Sequence, residues 1–152
     1  MDSPHYASLR TATPADRAFA ERLSHDNMAA YRASRNIVWD PARFEASWAS
    51  FDNRVIESRG VAVGVLRLHE LPDALEIRDL QLLPAHQGHG LGAWAVRQAF
   101  LRATELGKPE LRLRVFPENP ARRLYERLGF AVVAELDGVL HMACKLPPGG
   151  PP

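Results

Sequence analysis

The sequence has 152 residues, 46% of them hydrophobic, which is enough for one domain with an ordinary core. Its 19 basic and 18 acidic residues give a formal net charge of +1, a balance that indicates neither nucleic acid nor a membrane surface as the partner. The lone cysteine, Cys144, excludes an internal disulfide and favours a reducing compartment, so we expect a cytoplasmic protein. No His/Cys cluster has metal-ligand spacing, and we expect no metal. We expect one domain over residues 1–146 and a disordered Pro/Gly tail over residues 147–152.

The first third of the chain predicts one strand and two helices. Tyr6 to Thr11 reads as a short strand, and Thr13-Pro14-Ala15-Asp16 is typical of a helix start, with an N-cap threonine and a carboxylate three residues later. That helix should bury its apolar side, namely Ala15, Phe19 and Leu23. A less regular segment is expected from His25 to Asp40. Asp40-Pro41 then opens a second helix, whose apolar side carries Phe44, Trp48 and Phe51.

Large side chains in this region have two interpretations. Most should belong to the core, because apolar residues at helical spacing usually do. Amphipathic tyrosine and tryptophan also suit the half-wet wall of a substrate pocket. The candidates for such a wall are Met28, Tyr31 and Trp39.

The middle of the chain predicts an antiparallel meander followed by a parallel crossover. The meander strands run over Arg54 to Ser58, Val61 to Glu70 and Leu75 to Leu83. A helix from Gly92 to Leu106 follows and leads to an alternating strand from Leu111 to Phe116. A strand, a helix and another strand imply a right-handed parallel crossover.

The last quarter predicts one more helix and a hairpin. Asn119-Pro120 starts the helix, which ends at Gly129, and two strands then meet across Asp137-Gly138, a strong hairpin signal. The fold class is therefore α/β, or α+β by looser naming. We expect a mixed, mostly antiparallel central sheet of about six to seven strands flanked by about four helices.

A glycine-rich loop joins the third meander strand to the next helix. Gly88, Gly90 and Gly92 stand at every second position. Glycine permits positive φ and close approach, and the first N–H groups of a helix attract anions, so the loop is a candidate phosphate site. Gly88 to Ala93 fits a dinucleotide-binding fingerprint. That fingerprint needs an acidic residue at the end of the next strand to bind the ribose, whereas Glu110 precedes its strand. A second frame starts at Gln87 and contains Gly90 and Gly92.

A second motif downstream indicates how the glycine frame that starts at Gln87 should be interpreted. Asn119 and Tyr125 lie six residues apart and precede Gly129-Phe130. Together with the Gln87 loop some thirty residues upstream, this pattern resembles the GNAT superfamily of N-acetyltransferases in residue type, order and spacing. The resemblance implies a GNAT-like sheet. It also implies transfer of an acetyl group from acetyl-CoA to an amine of a small molecule or peptide, by direct attack in a ternary complex.

The resemblance also implies which residues bind the cofactor. Backbone N–H groups from Gln87 to Gly92 would hold the pyrophosphate. Pantetheine would follow the strand from Gln81 to Leu83, the N–H of Leu82 would bind the thioester oxygen, and Asn119 would contact the pantetheine arm. The expected cofactor set is Gln81, Leu82, Leu83, Gln87, Gly88, His89, Gly90, Leu91, Gly92 and Asn119.

The same resemblance makes Tyr125 the general acid. A phenol with a pKa of about 10 can protonate a departing thiolate with a pKa of about 8.5 at little cost. Many family members carry a glutamate six residues before the proline that ends the strand, and this chain has Arg78 there. Arginine is no base at neutral pH, so Arg78 either attracts an acceptor carboxylate or forms a salt bridge in the sheet. The remaining candidate proton acceptors are a water chain, His69, Glu70 and His141. Asp79 is next to Arg78 but should point to the opposite face, since strand side chains alternate.

Three functions stay open at this point. The first is an acetyl-CoA-dependent N-acetyltransferase whose acceptor is an amine. We expect neither nucleic acid nor a membrane as its partner. The second is a non-catalytic acyl-CoA sensor with the same fold, because the usual glutamate is missing. The third is a nucleotide-dependent oxidoreductase, from the first glycine frame. Whether the chain forms a homodimer is left open.

Overall fold

The structure is a computed structural model, and it describes residues 6–147. Residues 148–152 of the predicted tail lie outside the described residues. The strands are β1 (Ala7–Thr11), β2 (Asp52–Ser58), β3 (Val61–Leu71), β4 (Ala74–Leu82), β5 (Glu110–Val115), β6 (Ala131–Leu136) and β7 (Val139–Lys145). The α-helices are α1 (Arg17–Ser34), α2 (Pro41–Ser50), α3 (Leu91–Glu105) and α4 (Ala121–Arg127).

The strands form a seven-stranded sheet in the order β1-β2-β3-β4-β5-β7-β6. β4 and β5 are parallel, with Leu75 opposite Leu111 and Ile77 opposite Leu113. The pairs β1–β2, β5–β7 and β6–β7 are antiparallel. The predicted mixed sheet and the parallel crossover through α3 are therefore confirmed.

The chain divides into two compact units, of which the first holds residues up to Arg67 together with Asp79–Leu91. Its core contains Ala20, Leu23, Phe44 and Val65. The prediction of an irregular segment is wrong for residues 25–34, because α1 continues to Ser34. Residues 25–34 contain no glycine or proline and include three alanines, which favour helix. Ala15 is exposed in the turn before α1, and Ala20 is buried instead.

Polar side chains hold the turn that precedes α1 and the start of α2. The Asp16 carboxylate accepts a hydrogen bond from the Thr13 N–H at 2.7 Å, which forms the predicted capping box. The Asp40 carboxylate accepts from the N–H groups of Ala42 and Arg43 at 3.0 and 3.3 Å. Hydrogen bonds from the Arg10 guanidinium to Asp16 lower the pKa of that carboxyl from 3.8 to about 2.

The second unit contains Leu68–Arg78 and the chain from Gly92 onward. Its buried side chains include Ala95, Val96, Ala99, Phe100, Leu111, Leu113 and Met142. The predicted hairpin turn is present, with φ of 53° at Asp137 and 75° at Gly138. The expectation of a single domain over residues 1–146 stays a prediction. Within residues 6–147 no helix has the length and apolar character needed to cross a membrane.

Candidate active site

The glycine loop leaves β4 through a short 3-10 turn, Pro84–His86, and ends where α3 begins at Leu91. Gly88 has a φ of 78° and Gly90 a φ of 88°. A Cβ added to Gly88 would meet no atom within 4 Å, so space is not the reason for glycine there. The reason is the left-handed backbone, which L side chains rarely adopt.

This loop leads into the N-terminus of α3. The N–H of Gln87 donates to the Pro84 carbonyl at 3.2 Å, and the first N–H groups of α3 have no acceptor inside the helix. Donors that precede a 15-residue helix lie in the positive field of its N-terminus. The loop therefore fits a diphosphate such as the one in CoA.

Gly92 is a glycine for a different reason. It belongs to the second unit, where a Cβ at this position would lie 3.2 Å from Cδ2 of Leu124 on α4. Such a distance is tighter than most real Cβ contacts, so the missing side chain lets α3 and α4 approach. Its N–H remains in the first turn of α3, where it can still serve an anion.

The end of β4 contacts the loop through a side chain. The Gln87 side chain turns back and donates a hydrogen bond from Nε2 to the Leu82 carbonyl at 3.1 Å. The Leu83 N–H donates to Val63 on β3 at 2.8 Å. The structure therefore brings Gln81, Leu82 and Leu83 together with the loop from Gln87 to Leu91, all in the first unit.

The second motif forms the start and the body of α4 in the second unit. The Asn119 side-chain oxygen accepts a hydrogen bond from the Ala121 N–H at 3.0 Å and so caps the helix. That cap uses only the oxygen, and the Nδ2 donor of the same amide remains for a ligand. Tyr125 is 8% exposed, and its ring meets the Phe130 ring edge-on at 5.9 Å between centroids.

The side chains proposed for the acceptor wall are only half buried. Met28 and Tyr31 lie on α1, and Trp39 lies just before α2. The Trp39 ring meets the His25 ring edge-on at 5.1 Å, and the Arg32 guanidinium lies 4.8 Å from the centre of the Trp39 ring. Trp39 also packs against the core of its unit, and its place in a substrate wall stays a prediction.

The two carboxylates considered as proton acceptors each pair with a cation. Asp79 lies 3.5 Å from Arg67, and both side chains are nearly buried. The Glu70 carboxylate lies 3.0 Å from the amine of Lys108. A carboxylate that takes a proton from an amine would have to give up such an ion pair. His69 and His141 are partly buried, and no described group of three His, Cys, Asp or Glu side chains could hold a metal ion.

Of the two interpretations of Arg78, the structure shows the salt bridge within the sheet. Its guanidinium lies 3.2 Å from the Glu76 carboxylate, and Arg114 approaches the same carboxylate at 3.4 Å. Glu76 is 8% exposed, and sequence reasoning missed it, as it missed Arg67. The available signal was a charged residue inside an apolar strand: Glu76 follows Leu75, and Arg67 follows Leu66.

A sequence model of the acetyltransferase (GNAT) family matches residues 18–130. Comparison with curated proteins gives no match. Three solved structures share the fold, each over 91% or more of this chain. They are the PaiA N-acetyltransferase from Thermoplasma acidophilum in complex with coenzyme A (16% identity, 98% of that chain covered, TM-score 0.74), the ribosomal-protein-S18-alanine N-acetyltransferase from Escherichia coli (19%, 93%, 0.71) and a variant of the spermidine N-acetyltransferase SpeG from Vibrio cholerae (22%, 94%, 0.71).

Proposed function

The chain belongs to the acetyltransferase (GNAT) family, and we propose that it transfers the acetyl group of acetyl-CoA directly to an amine of a small molecule or peptide in a ternary complex. Family membership makes it an acetyltransferase and acetyl-CoA its acyl donor. The observation that carries the proposal is the loop at the start of α3, with positive φ at Gly88 and Gly90 and the first N–H groups of α3 directly after them. We propose the cytoplasm as its location, because the lone Cys144 favours a reducing compartment.

Acetyl-CoA supplies an activated thioester, and the chain supplies its binding and orientation. We assign the diphosphate to the N–H groups from Gly88 to Gly92, which need no side chain to reach an anion. The Gln87 N–H already donates to Pro84, and its side chain donates to the Leu82 carbonyl. We assign the pantetheine to the main chain of β4 from Gln81 to Leu83. The N–H of Leu82 is the proposed donor to the thioester oxygen, where negative charge grows during transfer.

Tyr125 is the proposed general acid for the departing thiolate. Its ring is mostly buried, and a phenol with an ordinary pKa of about 10 carries the proton that a departing thiolate needs. Asn119 is the proposed contact to the pantetheine arm, since its helix cap leaves the amide nitrogen as a donor. The presence of Tyr125 favours catalysis over the sensor alternative, which has no need of an acid.

The acceptor must arrive as a free amine, because only the unprotonated form attacks a thioester. Met28, Tyr31 and Trp39 form the proposed wall for it on the first unit. Arg78 is a weaker proposal for an acceptor carboxylate, since its guanidinium already pairs with Glu76. Family membership argues against the oxidoreductase alternative, which used the same glycines for a dinucleotide.

A screen of amines for thiol release from acetyl-CoA tests this function. Spermidine and a peptide with a free alanine amine belong in it, because two structures that share the fold are named for spermidine and for an alanine of a ribosomal protein. CoA at a hundredfold excess over its Kd should stabilise the folded protein by about 2.7 kcal/mol, and NAD should not. Thermal stabilisation by NAD and none by acetyl-CoA would remove the proposal.

A further inference from the structure

The peptide between Leu82 and Leu83 is held from both sides. Asn27 on α1 donates a hydrogen bond from Nδ2 to the Leu82 carbonyl at 2.9 Å, and Gln87 donates to the same oxygen. The N–H of this peptide, on Leu83, donates to Val63 at 2.8 Å. Two of the three partners of this peptide are side chains, so α1 and the glycine loop determine how β4 ends.

The preceding peptide, between Gln81 and Leu82, is held by a close approach to β3. A Cβ on Gly64 would lie 2.5 Å from the Gln81 carbonyl oxygen and 2.6 Å from Cδ2 of Leu82. The φ of Gly64 lies outside the left-handed range, so contact is the reason for glycine here. The described residues contain no cis peptide, and a trans peptide directs its N–H away from its carbonyl. The Leu82 N–H therefore points away from Gly64.

A partly buried polar network fixes the Asn27 contact. Asn27 Nδ2 also donates to the Gln81 side-chain oxygen at 3.1 Å, and Gln81 Nε2 donates to Asp79 at 2.8 Å. Asp79 pairs with Arg67, whose guanidinium donates to Asn53 at 2.9 Å and to Ser47. Because Asp79 can only accept, the Gln81 amide must present its nitrogen to Asp79 and its oxygen to Asn27.

We propose that Asn27 is a positioning residue for acetyl transfer: through the Leu82 carbonyl it orients the end of β4 that receives the acetyl thioester. This inference rests on the proposed role of the Leu82 N–H. The network holds β4 in one geometry before the cofactor arrives, and preorganised donors need no rearrangement during reaction. Asn27 therefore affects the chemical step, while the loop that binds the diphosphate keeps its own donors.

Asn27→Asp tests the role with a side chain of the same shape that cannot donate to a carbonyl. We expect kcat to fall about 10- to 100-fold, the range for a small misplacement near the reacting atoms, while KM for acetyl-CoA and the Kd of CoA change less than about threefold. The amide resonance of Leu82 should respond to acetyl-CoA in the wild type and much less in the variant. Asp26→Asn, an exposed neighbour on α1, is the matched control and should retain full activity.

The wild type is assayed first, with acetyl-CoA and the best amine of the screen, so that failure of the proposed function is seen without any variant. A folded Asn27→Asp protein with wild-type kcat would overturn the inference. Equal losses of kcat and CoA affinity would also overturn it, because Asn27 would then serve cofactor binding. Asn27→Ala provides the second variant, and unfolding of both would assign Asn27 to stability alone.

Discussion

Gly88→Ala isolates the contribution of backbone conformation to cofactor binding. Gly88 has a φ of 78°, and an added Cβ meets no protein atom within 4 Å, so the substitution introduces strain without a clash. A left-handed conformation costs an L residue about 1–2 kcal/mol. The free protein can accept this strain, which lowers its stability, or relax the loop, which weakens the binding of CoA.

The loss in the free energy of unfolding and the loss in the free energy of CoA binding should together equal the strain energy. If the free loop relaxes fully, the Kd for CoA rises about 5- to 30-fold with unchanged stability, since 1–2 kcal/mol corresponds to that factor. If it does not relax, the free energy of unfolding falls by about 1–2 kcal/mol and the affinity is retained. Urea unfolding and calorimetric titration with CoA measure the two parts on the same protein.

Gly60→Ala is the matched control, because Gly60 has a φ of 79°, an equally open surrounding and a place in the β2–β3 turn. It should lose stability and keep the wild-type affinity for CoA. Gly88→Asn should recover part of the loss, since asparagine tolerates the left-handed region. Wild-type stability and affinity in Gly88→Ala would refute the reasoning, and a Kd increase far beyond 30-fold would indicate that the diphosphate lies against the Gly88 main chain.

Three further results are expected. Tyr125→Phe should lower kcat by roughly 10²–10⁴-fold with little change in KM for acetyl-CoA, and full activity in the folded variant would show that the thiolate leaves without an acid. The Arg10 hydrogen bonds lower the pKa of Asp16 from 3.8 to about 2, so their stabilisation is complete above pH 3.8 and is lost as the pH falls through 2. In Asp16→Asn, the free energy of unfolding from urea curves should no longer fall with pH in this range because of this pair. The acid limb of kcat/KM should follow the pKa of the acceptor amine, measured with two amines of different pKa; a limb that ignores the amine and moves in Glu70→Gln or Asp79→Asn would name a protein base.

The fold could be predicted from the sequence wherever local signals agreed. The capping box at Thr13, the proline after Asp40 and the Asp137-Gly138 turn each determine the local backbone, and the structure confirms all three. The prediction was wrong between His25 and Ser34, where few apolar residues mark a helical face. That stretch is helical because its alanines favour helix and nothing breaks it. Low apolar content hides a helix of this kind from a periodicity argument.

In the candidate site, too, the features set by neighbouring residues could be predicted, and those set by contacts between distant residues could not. Gly88 and Gly90 have positive φ because of local turn geometry, which the glycine spacing reports directly. The role of Asn27 depends on a contact with Leu82, 55 positions away, and no pattern along the chain shows such a pair. Gly64 falls inside the strand predicted from Val61 to Glu70, and the approach of the Gln81 carbonyl explains why it is a glycine.

The two missed charges explain why no side chain stands out as the proton acceptor. Arg67 lies over the rings of Phe44 and Phe51 at 4.5 and 5.3 Å and pairs with Asp79, so that carboxylate belongs to a buried network. In the other unit, Glu76 pairs with two arginines. Removing a proton from an amine requires a base that can give up its ionic partner, and a buried paired carboxylate would leave an uncompensated cation behind. We therefore expect the acceptor to lose its proton to solvent before it attacks, and to be an amine whose own pKa sets the lower pH limit of activity.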